Sequence, residues 1–283
     1  MTDNNFIFQH WKKEQQVFNK NFTTLKKHNE KEAVHDLRVA VKKLRATIEL
    51  YVLLTKEPLW ENPLKETDEL FNISGKQRDI EMALEVLGTL EKETGKKFPE
   101  LKRHLQVCLS IAVKWTNISI NEYKKKELAA IAILIKDEKS FHNQEEIKYK
   151  IIALINDSLE KSKNYFKQPH KLRQYLKEIY YWIRMLPVGS KVINEYEKEL
   201  HHVLDDLGHW QDLAMLELKI KHYRKDYLPK AFSEYDSIKS LQETIQAKEK
   251  ELLKSALMRI RKMVSKLQAM EKEKRSTAVT EAL

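Results

Sequence analysis

The sequence predicts an all-α fold made of long amphipathic helices. The 283 residues include only five Gly and six Pro, so few positions interrupt a helix. Apolar residues recur at helical spacing, and no segment shows the sustained apolar/polar alternation of a strand. Breaks in this pattern delimit eight helical stretches, at roughly 4–28, 31–55, 59–93, 98–135, 144–167, 169–186, 190–224 and 229–273.

Proline and polar segments set the boundaries of these helices in order along the chain. In the first half, "KEPLWENP" separates the second and third helices and "TGKKFP" separates the third and fourth. The polar segment "KDEKSFHNQ" marks the midpoint. In the second half, "QP" precedes the sixth helix, "LPVGS" the seventh and "DYLPK" the eighth. Residues 276–283 have no apolar periodicity and are predicted to form a flexible tail.

The two halves of the chain resemble each other. "VHDLRVAVKKLRATIELY" at 34–51 aligns with "PHKLRQYLKEIYYWIRML" at 169–186, at an offset of 170 − 35 = 135. "GKQRDIEMAL" from Gly75 aligns with "GHWQDLAMLE" from Gly208, at an offset of 208 − 75 = 133. Two matched blocks in the same order predict a four-helix unit used twice. We therefore expect two four-helix bundles, at 1–141 and 142–275, related by a pseudo-twofold axis.

A row of cationic side chains accompanies the apolar seam of the second helix. The row falls within one arc of roughly 80°, because successive residues in a helix are about 100° apart. It repeats in the second half of the chain, where Arg184 extends it, and Lys43 points away from it. The two copies are His35, Arg38, Lys42 and Arg45 in the first and His170, Arg173 and Lys177 in the second.

This arrangement predicts binding of an anion. Like charges three, four and seven residues apart on a helix repel each other, so two such rows are unfavourable without a counter-charge. The alternative is a solvated face whose long side chains cover the edge of the core. The formal net charge of +10 also favours anionic partners. Arg and Lys donors suit phosphate oxygens, and the charge of His rises beside an anion.

Two glycines and two aspartates recur downstream of the rows. Gly75 and Gly208 lie inside predicted helices, where glycine costs about 1 kcal/mol relative to alanine. A close approach of another group and a local break both explain them. Asp79 and Asp212 have no second carboxylate beside them, so we expect them to orient neighbouring basic side chains rather than act as acids.

The motifs "VHDLRVAVKKLR" and "GKQRD", followed by "PHKLRQYLK" and "LGHWQD", resemble the CHAD family, the conserved-histidine α-helical domain. The resemblance covers roughly residues 4–273. It implies two four-helix bundles around a basic central channel and inorganic polyphosphate as the ligand. Carried over by position, both rows would line this channel, with Arg78 as an addition and Lys43 and Arg184 as further candidates. Tyr180 stands where Arg45 would recur, and Glu178 stands opposite Lys43, so the second half is expected to be less basic.

Other functions are weaker alternatives. A sequence-independent nucleic-acid-binding protein would use the same cations, but no aromatic residues are expected to interleave with the row as stacking platforms. The pairs Glu32–His35 and Glu199–His202 have the Glu-x-x-His spacing of di-iron bundles, but the cations beside His35 oppose a metal ion. No nucleophile motif or Gly-rich phosphate loop is present, so we expect neither an enzyme nor a cofactor.

The sequence also predicts a cytoplasmic protein that does not enter the membrane. The longest apolar run, residues 128–135, is far shorter than the roughly 20 residues that span a bilayer. The first residues do not combine a cationic and an apolar region as a secretory signal does. Cys108 is the single cysteine, which excludes an intramolecular disulfide and a Cys-based zinc site. With polyphosphate as the ligand, association with polyphosphate granules is expected.

Overall fold

The protein is all-α in a computed structural model that describes residues 5–187 and 191–281. Within these ranges nine α-helices and two short 3₁₀ turns are present, and no residue forms a strand. The helices are α1 (Phe6–Lys27), α2 (Lys31–Thr55), α3 (Lys65–Thr94), α4 (Pro99–Glu122), α5 (Lys126–Asp137), α6 (Gln144–Lys161), α7 (Pro169–Met185), α8 (Lys191–Asp226) and α9 (Tyr235–Glu281). The predicted fold class is confirmed.

The helix predicted at 98–135 is divided into α4 and α5. Lys125 adopts a left-handed conformation, with φ of 61°, at the junction. The Tyr123 ring packs 5.6 Å from Phe18 and 5.4 Å from Phe22, measured between ring centroids. The chain turns here because burying Tyr123 brings α5 back against α1. The sequence missed this break, since "YKK" contains no Gly or Pro.

Most other boundaries agree with the sequence to within a few residues. Pro99 and Pro169 occupy the first turns of α4 and α7, as the sequence predicted. α3 and α9 begin six residues later than predicted, and α9 continues to Glu281. The predicted loop at 186–190 lies partly outside the described residues.

The first compact unit contains Met1–His142 together with Gln211–Glu249. Helices α1 and α2 pack along each other, as do α3 and α4. The apolar seam of α2 is the centre of this core, where Val34, Leu37, Val41 and Leu44 are fully buried. The buried seam fixes which face of α2 is left for the cationic row.

The N-terminus of α3 is capped by a side chain from α5. The Glu127 carboxylate accepts hydrogen bonds from the backbone N–H groups of Glu66 and Thr67 and from the Thr67 hydroxyl. The first N–H groups of a helix have no partner within the helix, and a carboxylate also complements the positive end of its dipole. This contact anchors α5 and fixes the position of α3 beside α2.

The second compact unit contains Asn143–Trp210 together with Lys250–Leu283. Its core includes Ile151, Leu172, Trp182 and Leu207, all nearly or fully buried. The long helices α8 and α9 each contribute residues to both units. The compact units are defined by which residues pack together and the sequence repeats by where a motif recurs, so their boundaries need not coincide. The division into repeats at 1–141 and 142–275, and their pseudo-twofold relation, stay predictions.

Lys43 belongs to the interface between α1 and α2. Its ammonium group lies 2.9 Å from a carboxylate oxygen of Glu14, which is 1% exposed. A carboxylate is costly to bury without a cation, so this pair holds the two helices together. Lys43 therefore points away from the row, as expected, and has a structural partner.

We predict that Lys43→Met lowers the free energy of unfolding by up to about 3 kcal/mol, because it leaves Glu14 buried without its cation. The loss is smaller than for a fully enclosed pair, since the Lys43 side chain is 26% exposed. Urea unfolding measures it. The double variant Lys43→Met/Glu14→Leu should recover most of the loss. Equal instability of the single and double variants would contradict this role.

Glu249 on α9 is a partly buried carboxylate of the first unit. Burial raises its pKa to about 7, and the negative charge of Glu217 on α8 adds to the effect. Glu217 itself accepts a hydrogen bond from Gln246 Nε2, 2.6 Å away. The protonated form of Glu249 is therefore favoured in the folded state.

We predict that this carboxyl group makes stability fall with rising pH. Its folded pKa lies above the ordinary value of 4.5, so its contribution is complete below about pH 4.5 and is lost as pH rises through about 7. Glu249→Gln should remove this decline and be more stable than the wild type above pH 7. Thermal unfolding from pH 4 to 8 tests this, and parallel curves for the two proteins would refute it.

Candidate functional site

The cationic row of α2 lies directly beside the buried seam. His35 is exposed, and Arg38, Lys42 and Arg45 are half-buried. Such partly covered cations keep their donors at the surface while their stems pack against protein. The structure thus places the four predicted residues on one face of one helix.

Phe71 on α3 lies under this row. Its ring centroid is 3.9 Å from Cζ of Arg38 and 4.1 Å from Cζ of Arg45, with Nζ of Lys42 at 5.8 Å. A cation near an aromatic face is attracted by the ring quadrupole. Phe71 therefore offsets part of the repulsion within the row. The sequence missed it because it lies on a different helix from the row.

Arg38 is the most enclosed member of the row. Nη1 donates to the backbone carbonyl of Phe71 and lies 3.5 Å from the Ser74 hydroxyl. Burial lowers its pKa to about 10, while Asp79 acts in the opposite direction and the cations Arg45 and Arg78 lower it further. Several positive charges are therefore concentrated in one partly dehydrated place, which favours an anion there.

Gly75 makes room for the Arg38 guanidinium. A Cβ atom at this position would lie 2.7 Å from Nη1 of Arg38, and α3 continues through it without a break. The close approach of a neighbouring group therefore explains this glycine. In the second unit, a Cβ atom at Gly208 would lie 3.9 Å from Nη2 of Arg173. The same pairing of Arg and Gly recurs there with more space.

Carboxylates of α3 hold the other guanidinium groups. Nε and Nη2 of Arg45 both donate to Asp68 Oδ1, at 2.9 and 2.6 Å. Arg78, the sequence-predicted addition to the row, lies 3.5 Å from a carboxylate oxygen of Glu81. Glu81 also accepts from Gln77 Nε2 at 2.8 Å, and Gln77 is almost fully buried. These acidic partners orient the row and neutralise part of it.

The charge of Asp79 acts on two basic side chains, and the orienting role expected for Asp79 and Asp212 stays a prediction. The carboxylate of Asp79 raises the pKa of Arg38 against the effect of burial. It does the same for Lys219 on α8, whose pKa is lowered mainly by burial. Lys219 is thus a further cation of this region of the first unit. No local sequence pattern points to Lys219, since it lies 140 residues from Asp79 along the chain (219 − 79 = 140).

The second row is carried by α7 in the second compact unit. His170 is exposed, with its ring nitrogen 3.1 Å from Gln174 Nε2, and Arg173 and Lys177 are half-buried. Arg184 is exposed and lies 3.6 Å from Glu197. Tyr180, at the position of Arg45, stacks on His201 with ring centroids 6.2 Å apart. The channel shared by the two rows stays a prediction.

Neither Glu-x-x-His pair is completed into a ligand set by the described part of the chain. There, no group of three or more His, Cys, Asp or Glu side chains is close enough together to hold a metal ion. The same residues include no helix that is long and apolar enough to cross a bilayer.

The comparison with known families agrees with these motifs. The family model described as the CHAD domain matches residues 11–221. The chain belongs to the CHAD family. Its fold is similar to the crystal structure of the CHAD domain from the plant Ricinus communis, with a TM-score of 0.69. That alignment has 13% sequence identity and covers 90% of this chain and 91% of the plant chain, so it supports the fold alone. No curated protein matches this CHAD chain.

Replacing glycines by alanine should show whether the stability at each position is governed by helix propensity or by the close approach of a neighbouring side chain. Gly88→Ala on α3, where nothing lies within 4 Å of a new Cβ atom, should raise the free energy of unfolding by up to about 1 kcal/mol. Gly208→Ala should behave alike. Gly75→Ala should gain nothing or lose stability, because Arg38 must leave its bonds to α3. Urea unfolding of the three variants decides this. Equal gains for Gly75→Ala and Gly88→Ala would show that Arg38 is not fixed there.

Proposed function

We propose that this CHAD domain is a binding module for inorganic polyphosphate. The observation that carries the proposal is the row of α2, in which cations crowd together on Phe71 and over Gly75. Like charges held this closely gain most from an anion with many oxygens. A linear polyanion matches a linear row of cations. The family resemblance supports the same ligand.

Each residue of the first row has a distinct part in the proposal. We assign His35, which is exposed, and Lys42, which is half-buried, to direct contacts with phosphate oxygens. Arg38 and Arg45 lie on the same face and are also bonded to α3. Arg38 and Arg78 supply fixed positive charge behind these direct contacts. Arg45 exchanges part of its bond to Asp68 for a phosphate oxygen. On α7 we assign His170, Arg173 and Lys177 to the same role, with a smaller contribution from Arg184.

Binding without catalysis fits the groups around the row. They are cations and carboxylates, and the carboxylates of Asp68 and Glu81 are already bonded to guanidinium groups. We propose neither a cofactor nor a metal ion. A cytoplasmic location at polyphosphate granules is part of the same proposal, since the polymer itself would retain its binding protein there.

Single-stranded nucleic acid is the second candidate, because phosphate contacts are independent of sequence. The structure provides an aromatic ring in the row, which sequence reasoning did not expect. However, Phe71 is already stacked against Arg38 and Arg45, so a base would have to displace them to stack on it. This favours an anion without bases. Calorimetric titration with polyphosphate of defined length, beside RNA of equal charge, tests the proposal. Tighter binding of the RNA would reject it.

We predict that Lys42→Gln weakens polyphosphate binding roughly tenfold to a hundredfold, because it removes one charge-assisted contact. Lys20→Gln on α1 is a matched control, since it removes the same charge from an exposed lysine outside the row. Its effect should be below about twofold. The slope of log affinity against log salt should also fall by about 1 for Lys42→Gln. Equal losses in both variants would mean that net charge, and not the row, governs binding.

A further inference from the structure

Helix α4 exposes a stripe of large apolar side chains. The stripe consists of Val107, Ile111, Trp115 and Ile118, with 55%, 51%, 59% and 46% of their surfaces exposed. Spacings of four, four and three residues place them within one arc of about 80°. A different face of the same helix is buried in the first compact unit, through Leu101, Leu105, Ala112, Thr116 and Ile120. The helix is therefore apolar on its outer face as well as on its core face.

The stripe also lacks the charges that cover the rest of the molecule. Residues 104–121 contain one Lys, at position 114, and no Arg, Asp or Glu, whereas 33% of the whole chain is charged. A solvated helix face normally carries charged residues, and a contiguous exposed apolar patch marks an interaction site. The composition of α4 thus fits a surface that is covered by a partner.

The order of residues along the stripe is nearly the same read in either direction. Val107 and Ile118 are centred between residues 112 and 113 (107 + 118 = 225), and Ile111 and Trp115 are centred on residue 113 (111 + 115 = 226). At the ends, Arg103 matches Glu122 (103 + 122 = 225). A second α4 laid antiparallel would therefore set apolar against apolar and Arg against Glu. A parallel one would set Arg against Arg.

We propose that two copies of this chain associate through the stripe of α4, packed antiparallel about a twofold axis. Such an interface is self-complementary, as a twofold dimer requires. Trp115 and Ile111 lie at its centre, and two pairs of Arg103 with Glu122 close its ends. The side chain of Arg103 is 75% exposed and lies 2.7 Å from a carboxylate oxygen of Glu100, so its guanidinium group can also reach a partner. This proposal does not depend on the one for polyphosphate.

A membrane surface is the competing occupant, and the charges argue against it. Helices that lie on membranes combine an apolar face with a polar face rich in Lys and Arg. The face of α4 away from the stripe is instead packed into the core, and only Lys114 flanks the middle of the stripe. A second copy of the chain would bury the apolar stripe and pair the charged residues at its ends.

Sedimentation velocity of the full chain tests the proposal. The wild type should change from the 33.7 kDa monomer towards twice that mass as concentration rises from micromolar to submillimolar. Trp115→Glu should raise the dimer dissociation constant at least about tenfold, since a central Trp dominates such interfaces. Ile133→Glu on α5 is the control, because it places the same charge on a side chain that is 61% exposed outside the stripe. It should dimerise like the wild type.

Charge reversal tests the antiparallel register without altering the apolar stripe. Arg103→Glu and Glu122→Arg should each weaken the dimer, and the two together should restore it. A wild type that remains monomeric, an unchanged dimer in Trp115→Glu, or a double reversal that fails to restore association would each overturn the proposal. The proposal would also be overturned if the wild type stayed monomeric and bound phosphatidylserine vesicles, and if Trp115→Glu abolished this vesicle binding.

Discussion

The approach of Arg38 to α3 is the constraint on which the candidate site depends. Its guanidinium group lies over the backbone at Gly75, stacks on Phe71 and donates to the Phe71 carbonyl. A side chain at position 75 would occupy the same space. The glycine weakens the helix locally, and the gain is a cation held in a fixed place beside the core. The rest of the row follows, since its members share the helix that Arg38 ties to α3.

Electrostatic balance explains how so many cations coexist there. Asp68 and Glu81 bond guanidinium groups, and Asp79 acts on Arg38 and on Lys219. Each of these carboxylates lies on α3, the helix that packs beside α2. The positive charges are therefore oriented without being fully cancelled, which suits a surface that awaits an anion. In the second row, Tyr180 stands where Arg45 would recur, and Arg184 lies 3.6 Å from Glu197.

Lys43 and Glu14 show the opposite use of an ion pair. Here the carboxylate is buried and its cation lies beside it, so the charges serve the packing of α1 on α2. Adjacent positions on one helix, Lys42 and Lys43, thus have different environments. The difference arises from the 100° turn between neighbouring residues, which directs one ammonium group to the row and the other to α1.

The sequence by itself determined the fold class, the family and the membership of the first row. Helical periodicity fixes which residues of α2 share a face, and this depends only on local geometry. Tertiary structure decided what lies opposite that face. Phe71, Asp68 and Lys219 are distant from the row along the chain, so no local pattern points to them. Tertiary structure also explains Gly75, because the close approach of Arg38 exists only after α2 and α3 pack together. It likewise explains the break between α4 and α5 at Lys125, which depends on the burial of Tyr123.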